Sequence, residues 1–204
     1  MRAVIFGAAP LGEDAFYQQL IQKEDVILCA DGGLRHVKRL GLKPYRVIGD
    51  FDSIPPEEVP KEALVHPREK DDTDMALCLK YAIHKKWNPV LLLGGLSGRL
   101  DHTLANIHLL QYGLEHETQV ELIDDTTRVL LIREETEIQN EGYRYLSVFP
   151  FGEKATGVTY EGLYYPLKNV TLTAGIPLGV SNFFSKERAR ISLSSGALLV
   201  ILSR

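Results

Sequence analysis

Two carboxylates stand one residue apart directly after a short apolar run, Asp50 and Asp52 in VIGDFDSI (47–54). Side chains alternate between the two faces of an extended strand, so positions 50 and 52 point to the same side. Two negative charges directed at one place repel each other unless a cation or a hydrogen-bond donor lies opposite them. The stretch therefore predicts a site for a charged ligand at the end of a buried strand.

Two further loops carry carboxylates of the same kind. These acids are Asp71, Asp72 and Asp74 in KDDTD (70–74), and Asp101 in GGLSGRLDH (94–102). In an open parallel sheet, ligands bind outside the carboxyl ends of the strands, so we expect all three loops to meet at one edge. Each loop alone also has a structural explanation, because Asp, Gly and Ser are common in turns and Asp72 or Thr73 can cap the next helix. Capping does not explain the whole acidic set.

Several carboxylates in one place favour a bound divalent cation, because the cation relieves their mutual repulsion. Oxygen ligands favour Mg²⁺, which typically takes one or two carboxylates together with phosphate oxygens and water. The sequence disfavours zinc, because its 2 cysteines and 6 histidines show no zinc-ligand spacing. The acidic loops therefore predict a magnesium site next to a phosphate group.

The segment GGLSGR (94–99) offers donors for that phosphate. Its glycines let backbone N–H groups approach a ligand closely, and a helix is predicted to begin just after it. Arg99 can bind phosphate oxygens through two N–H groups, and Lys70 beside the acidic run supplies another positive charge. On glycine spacing alone, a flexible surface turn explains the segment equally well. Neither G-x-x-x-x-G-K-[ST] nor G-x-G-x-x-G occurs in the chain, so any nucleotide is held by a different device.

A late turn-rich segment, GIPLGVSNFF (175–184), has the residue types that bind a heterocycle. Ser181 and Asn182 can orient such a ring by hydrogen bonds, and aromatic side chains can stack on it. Tyr164 and Tyr165 in GLYYPL (162–167) offer the same chemistry. Composition alone favours the simpler explanation, a hairpin loop whose Phe side chains return to the core.

Residues 1–125 alternate apolar runs of strand length with helical patterns. The predicted strands are Ala3–Phe6, Val26–Ala30, Tyr45–Ile48, Ala63–His66, Val90–Leu93 and Gln119–Ile123. The predicted helices are Ala15–Ile21, Leu34–Leu40, one that follows residues 71–74, and Leu100–Leu110. This alternation is typical of an α/β fold with an open, mostly parallel sheet and flanking helices. Such a fold places the three acidic loops after strands.

From about residue 126 onwards, short apolar runs are separated by Gly, Pro and Asn turns. The predicted strands are Val129–Ile132, Tyr143–Phe149, Asn169–Thr173, Arg190–Leu193 and Leu198–Leu202. Short strands without helices are typical of a small antiparallel β-sandwich or barrel. We therefore expect two domains, residues 1–125 and 126–204.

The composition bounds the partners and the location. A net charge of −4 and a pI of about 5.9 argue against nucleic acid as the main partner. No apolar stretch approaches the roughly 18 residues of a membrane span, and the start MRAVIFGAAP is too short for a signal peptide. Cys29 and Cys78 lie far apart in apolar segments and are expected to be free thiols, although the sequence does not exclude a disulfide. We expect a cytoplasmic protein that binds neither nucleic acid nor membrane.

Four segments are similar to the thiamine pyrophosphokinase family and occur in the family's order. They are ADGGLRHVKRLGLKPYRVIGDFDSI, KDDTDMALCL, LLGGLSGRLDHTLANIHLL and GVSN. The resemblance implies an α/β ATP-binding catalytic domain (1–125) followed by a β-sandwich domain for thiamine binding and dimerisation (126–204). It also implies a homodimer with active sites between subunits. The implied reaction converts ATP and thiamine to thiamine diphosphate and AMP with Mg²⁺.

The resemblance also implies roles for individual residues. The expected metal ligands are Asp50, Asp52, Asp71 and Asp74, and the expected catalytic residues are Asp71, Asp101 and Arg99. The expected ATP contacts are Asp31, Gly32, Lys70, Gly95, Ser97, Gly98 and Arg99. The expected thiamine contacts are Ser181, Asn182 and Tyr165, with Tyr165 standing where the family often has Trp. Alternative functions are pyrophosphate transfer to another heterocyclic alcohol, such as a hydroxymethyl pterin, and a non-catalytic nucleotide or thiamine sensor.

Overall fold

The structure is a computed structural model that describes residues 1–51, 59–60, 63–67, 69 and 71–204. It divides the chain into two compact units, Met1–Asp125 and Thr126–Arg204. The first contains a parallel sheet with helices and the second is built from antiparallel strands, which confirms the α/β fold class. Asp52 and Lys70, both assigned to the site from the sequence, lie outside the described residues.

The first unit is built on a parallel sheet. Its strands are β1 Ala3–Phe6, β2 Val26–Ala30, β3 Arg46–Gly49, β4 Leu64–Val65, β5 Val90–Leu93 and β6 Val120–Ile123. Within this unit they lie in the order β4-β3-β2-β1-β5-β6, and each described pairing is parallel. All six carboxyl ends therefore lie at one edge of the sheet. Two interior strands, β1 and β5, are buried along their whole length, as expected of apolar runs covered on both faces.

Four helices accompany these strands in the described part of the first unit. They are α1 Asp14–Leu20, α2 Leu34–Arg39, α3 Asp74–His84 and α4 Leu100–Glu115. Val4 and Phe6 of β1 pack in one core cluster with Tyr17 of α1 and with Leu34 and Val37 of α2. Helix α3 contacts β1, β2 and β3. None of the described helices is long and apolar enough to cross a membrane.

The second unit consists of two antiparallel sheets that share a core. Its strands are β7 Thr127–Ile132, β8 Thr136–Gln139, β9 Tyr145–Pro150, β10 Lys154–Glu161, β11 Val170–Thr173, β12 Arg188–Ser192 and β13 Leu198–Ser203. One sheet runs β7-β13-β9 and the other β11-β10-β12-β8. One cluster of buried residues draws on both sheets, including Val148, Val200, Val158 and Ile191, so the unit is a β-sandwich.

Two strands of the sandwich, β8 and β10, were not predicted from the sequence. Strand β8 is TEIQ, in which only Ile138 is buried, so it lacks the apolar run of a central strand. Strand β10 contains Gly157, whose positive φ of 67° coincides with a register shift against β11. The bulge interrupts the alternation of apolar and polar residues that identifies a strand.

Candidate active site

A cavity of about 310 Å³ lies at the carboxyl edge of the parallel sheet. Its lining residues come from the ends of β1, β2, β3 and β5, from the start of α3 with the two residues before it, and from the first two turns of α4. They are Gly7, Ala8, Ala9, Ala30, Asp31, Asp50, Asp72, Thr73, Asp74, Met75, Gly94, Gly95, Ser97, His102 and Asn106. The parallel arrangement of the strands is what brings these separate loops to one place.

Of the described residues, four line this cavity with carboxylates, namely Asp31, Asp50, Asp72 and Asp74. Asp31 follows β2 with φ of 41°, in the left-handed region, and Asp50 follows β3 directly. The Oδ1 atoms of Asp31 and Asp74 are buried and accept no hydrogen bond, although both residues make other interactions. Buried carboxylate oxygens favour a positively charged ligand in the cavity.

Asp72 is paired with a lysine of α3. Both of its carboxylate oxygens accept hydrogen bonds from Lys80 Nζ, at 2.7 and 2.6 Å. The helix cap is Thr73, whose Oγ1 accepts from Ala76 N at 3.2 Å. Of the two capping residues considered from the sequence, the structure therefore selects Thr73, while Asp72 is neutralised by Lys80.

Arg99 and Asp101 form an ion pair with each other. Arg99 Nη2 lies 2.5 Å from Asp101 Oδ2 and Arg99 Nε lies 3.1 Å from Asp101 Oδ1. The hydrogen bonds from Arg99 lower the pKa of Asp101, so its carboxylate is a weaker proton acceptor in this arrangement. Both side chains are more than 60% exposed, at 72% and 63%, so solvent weakens the ion pair and Arg99 remains accessible to a phosphate.

The cavity wall after β1 depends on a close approach of two glycines. Gly7 N donates to Leu93 O at 2.7 Å, and Ala9 N donates to Gly94 O at 3.2 Å. A Cβ on Gly7 would lie 2.5 Å from Gly94 O, so no larger residue fits there without movement. The sequence analysis missed this loop, GAAP (7–10). The position of GAAP directly after an apolar strand could have indicated it, because the loops that follow interior strands of a parallel sheet lie at the ligand-binding edge.

Side chains from α2, from the β5–α4 loop and from α4 form hydrogen bonds with backbone groups around the cavity. His36 Nε2 lies 2.9 Å from Ala9 O, which fixes the proton on that nitrogen, and Ser97 Oγ donates to Pro10 O at 2.9 Å. Asn106 Nδ2 donates to Gly95 O at 2.9 Å. These bonds fix backbone groups around the cavity before any ligand binds, which lowers the entropy cost of binding.

Burial of His36 gives a prediction for the pH dependence of stability. Desolvation lowers the pKa of His36, so the unfolded chain binds more protons at this site than the folded chain does. The stabilisation is complete above the unfolded pKa of about 6.5 and is lost as the pH falls below it. We expect the wild type to lose more stability than His36→Gln between pH 7.5 and 5.5, measured by urea unfolding. Equal losses in the two proteins would contradict this assignment.

Family models match both units of the chain. The thiamin pyrophosphokinase catalytic domain matches residues 17–122, and the thiamin pyrophosphokinase vitamin B1 binding domain matches residues 135–198. A thiamine pyrophosphokinase from Bacillus subtilis is 36% identical over 171 residues, covering 80% of each chain. The chain belongs to the thiamine pyrophosphokinase family. The resemblance noted in its sequence motifs is therefore confirmed.

Solved structures of the family have the same fold. The crystal structure of thiamine pyrophosphokinase from Bacillus subtilis superimposes with a TM-score of 0.91 at 30% identity, covering 100% of this chain and 99% of that one. The enzyme from Geobacillus thermodenitrificans superimposes with a TM-score of 0.89 at 29% identity, covering 100% and 98%. The thiamine pyrophosphokinase fold thus extends over the whole chain.

The vitamin B1 binding domain holds the three residues that the resemblance assigned to thiamine. Tyr165 is 59% exposed, and Ser181 is exposed with φ of 59°. Asn182 is only 4% exposed, and its side-chain amide is hydrogen-bonded to the backbone of Tyr165. Two of the three are therefore available to a ligand, while the amide of Asn182 is already engaged.

Some of the residues that the sequence assigned to ATP and metal binding line the cavity, and others do not. Asp31, Asp50, Asp74, Gly95 and Ser97 line it. Gly32, Asp71, Gly98, Arg99 and Asp101 are described by the structure but do not line it. Besides the β1 loop, the sequence analysis missed His102 and Asn106, which gave no signal because both sit within an ordinary helical pattern.

The donor set of the cavity fits Mg²⁺. In the described part of the chain, no three His, Cys, Asp or Glu side chains are arranged to enclose a metal ion. Mg²⁺ does not require such a cage, because it commonly binds one or two carboxylates and completes its shell with water and substrate phosphate. Asp50 and Asp74 supply two carboxylates on one cavity, which meets that requirement.

Proposed function

We propose that the chain transfers a pyrophosphoryl group from ATP to thiamine, giving thiamine diphosphate and AMP. Membership of the thiamine pyrophosphokinase family supports this function. The observation that carries it is the cavity lined by Asp31, Asp50 and Asp74 at the carboxyl edge of the sheet. A carboxylate-lined cavity with glycine loops suits a polyphosphate bound together with a divalent cation.

In the proposed reaction, the hydroxyl oxygen of thiamine bonds to the β-phosphorus of ATP. The bond between that phosphorus and the oxygen bridging to the α-phosphorus breaks, and AMP leaves with the bond electrons. Such transfers depend on holding the reacting groups in line and on neutralising charge. No protein nucleophile is needed, which agrees with a cavity lined by carboxylates and glycines.

Asp50 and Asp74 are the residues proposed to hold Mg²⁺, with Asp52 and Asp71 as the further ligands implied by the family motif. A bound Mg²⁺ supplies positive charge to the phosphate oxygens. Residues of the chain supply the rest of the ATP site. Backbone N–H groups of the loops holding Gly32, Gly95, Ser97 and Gly98 are proposed to contact phosphate, together with the side chains of Arg99 and Lys70.

The proton of the thiamine hydroxyl needs an acceptor, and the two candidates are Asp71 and Asp101. Asp101 is bound by Arg99, which lowers its pKa and weakens it as a base. Asp71 is exposed at the start of the acidic run that leads into α3. We therefore place the proton on Asp71 and give Arg99 the role of binding the transferred phosphate. Asp101 then holds Arg99 in position.

The second unit is proposed to bind thiamine through Tyr165 and Ser181. Thiamine carries a positively charged thiazolium ring, which aromatic faces attract. We also propose that the chain works as a homodimer, as the family resemblance implies. The exposed apolar residues of the second unit, Ile176, Leu178 and Val180, are consistent with such contacts. A cytoplasmic location is proposed because Cys29 and Cys78 are free and buried.

The test is an assay of purified protein with thiamine, ATP and Mg²⁺. We expect AMP and thiamine diphosphate to appear in equal amounts, and no product when thiamine or Mg²⁺ is omitted. Adding a hydroxymethyl pterin as competitor separates the main proposal from the alternative alcohol. If the chain is a non-catalytic sensor, calorimetry should show thiamine binding while the assay releases no AMP. That result would overturn the proposed function.

A further inference from the structure

The side chain of Asn182 is hydrogen-bonded to the protein's own backbone through both its amide oxygen and its amide nitrogen. Asn182 Oδ1 accepts from Tyr165 N at 3.0 Å and from Phe183 N at 3.0 Å. Asn182 Nδ2 donates to Tyr165 O at 2.7 Å. The orientation of the amide is determined, because Tyr165 N is a donor and Tyr165 O is an acceptor. The side chain therefore pairs with residue 165 as a neighbouring β-strand would.

Backbone pairing on both sides extends this contact. Tyr164 N donates to Phe183 O at 3.0 Å, and Leu163 bridges to Phe184 in antiparallel fashion. On its other side, Asn182 exchanges two backbone hydrogen bonds with Leu146 of β9, at 2.7 and 3.1 Å. The amide thus fastens the 163–165 segment to a residue that is itself anchored to the sandwich.

The result is a rigid cluster of rings on the surface. The rings of Tyr164 and Phe183 are stacked with centroids 4.6 Å apart, and Tyr165 meets both edge-on at 5.0 and 5.8 Å. Tyr164 and Tyr165 nevertheless remain 58% and 59% exposed. Large exposed rings held at fixed angles are what a flat, cationic heterocycle binds to most readily.

We propose that Asn182 is a positioning residue for thiamine, acting through the backbone of Tyr165 and without touching the substrate. The inference rests on the proposed function. Its 4% exposure supports the indirect role, because a ligand has almost no access to the side chain. Its three hydrogen bonds set the direction in which the Tyr164 and Tyr165 rings face, and hence the affinity for thiamine.

The variant Asn182→Asp tests the role of the amide donor. A carboxylate still accepts from Tyr165 N but repels Tyr165 O, so the segment should shift. We expect the KM for thiamine to rise about tenfold, with the KM for ATP within about twofold of wild type. At lower pH the introduced carboxyl becomes protonated and regains a donor, so the KM for thiamine should return towards the wild-type value. The control Asn140→Asp changes an exposed amide of the same unit and should leave both KM values unchanged.

A double variant separates positioning from direct contact. If Asn182 acts through the rings, Asn182→Asp should have no further effect on the KM for thiamine in a Tyr164→Ala/Tyr165→Ala background. A tenfold effect that persists in that background would overturn the inference, because it would mean direct contact with substrate. Hydrogen exchange of the Tyr165 amide should also speed up in Asn182→Ala. Absence of thiamine turnover in the wild type would overturn the proposed function, and the inference with it, whereas additive effects in an active wild type overturn the inference alone.

Discussion

We expect Asp74→Asn to lower kcat for AMP release about 100-fold while the fold stays intact. Asp74 is the first residue of α3, lines the cavity beside Asp50 and has a buried carboxylate oxygen. The substitution keeps the size of the side chain but removes its negative charge. In the proposed site, Mg²⁺ would then lose one of the two negative charges that hold it, so the Mg²⁺ concentration needed for half-maximal rate should rise as well. Steady-state kinetics at several Mg²⁺ concentrations measure both effects.

Asp14→Asn is the matched control for this change. Asp14 is likewise the first residue of a helix, α1, and its carboxylate pairs on the surface with Arg39 at 2.7 Å. Both substitutions remove an acid from a first helical turn, which costs up to about 1 kcal/mol of stability at an exposed position. Only Asp74 lines the cavity, so only its loss should affect kcat. Wild-type turnover in Asp74→Asn would show that the cavity acids do not support the reaction.

We expect Gly33→Ala to destabilise the first unit by about 3 kcal/mol and to reduce activity as a result. Gly33 ends the short 3-10 turn Asp31–Gly33 between β2 and α2 and is buried. A Cβ at this position would overlap the carbonyl oxygen of Phe6, the last residue of β1. Because that oxygen belongs to the backbone of a buried strand, it cannot move aside without displacing the loop that follows. Urea unfolding followed by the fluorescence of Trp87, which lies in this unit, measures the loss.

Gly41→Ala shows how much of that loss comes from the clash. Gly41 follows α2 with φ of 69°, and a Cβ there has nothing within 4 Å. Alanine at position 41 is destabilised by about 1–2 kcal/mol because its backbone is left-handed, but its Cβ contacts no other atom. At Gly33 the backbone conformation is ordinary, with φ of −59°, so the cost there is purely steric. If Gly33→Ala lowered the free energy of unfolding no more than Gly41→Ala does, the close contact between β1 and this turn would be contradicted.

The sequence alone determined most helices and strands of the first unit and the residue types of the loops between them. Strands β1, β2 and β5 have the predicted bounds. Each is an unbroken apolar run of strand length next to Gly, Asp or Pro, and this pattern is typical of a strand that is covered on both faces. The alternation of such strands with helices then required a parallel sheet. Because the strands are parallel, the loops that follow them lie at one edge of the sheet.

Only the tertiary structure decided which of those residues share a cavity. The direction of each side chain after a strand depends on where the next helix begins and on which backbone atoms approach it, and neither follows from spacing. Thus Thr73 and not Asp72 caps α3, Asp72 turns to Lys80, and Arg99 binds Asp101 outside the cavity lining. The engagement of Asn182 with Tyr165 is likewise a contact between residues 17 positions apart in sequence. Local sequence determined which groups were available, and long-range packing determined which of them face a ligand.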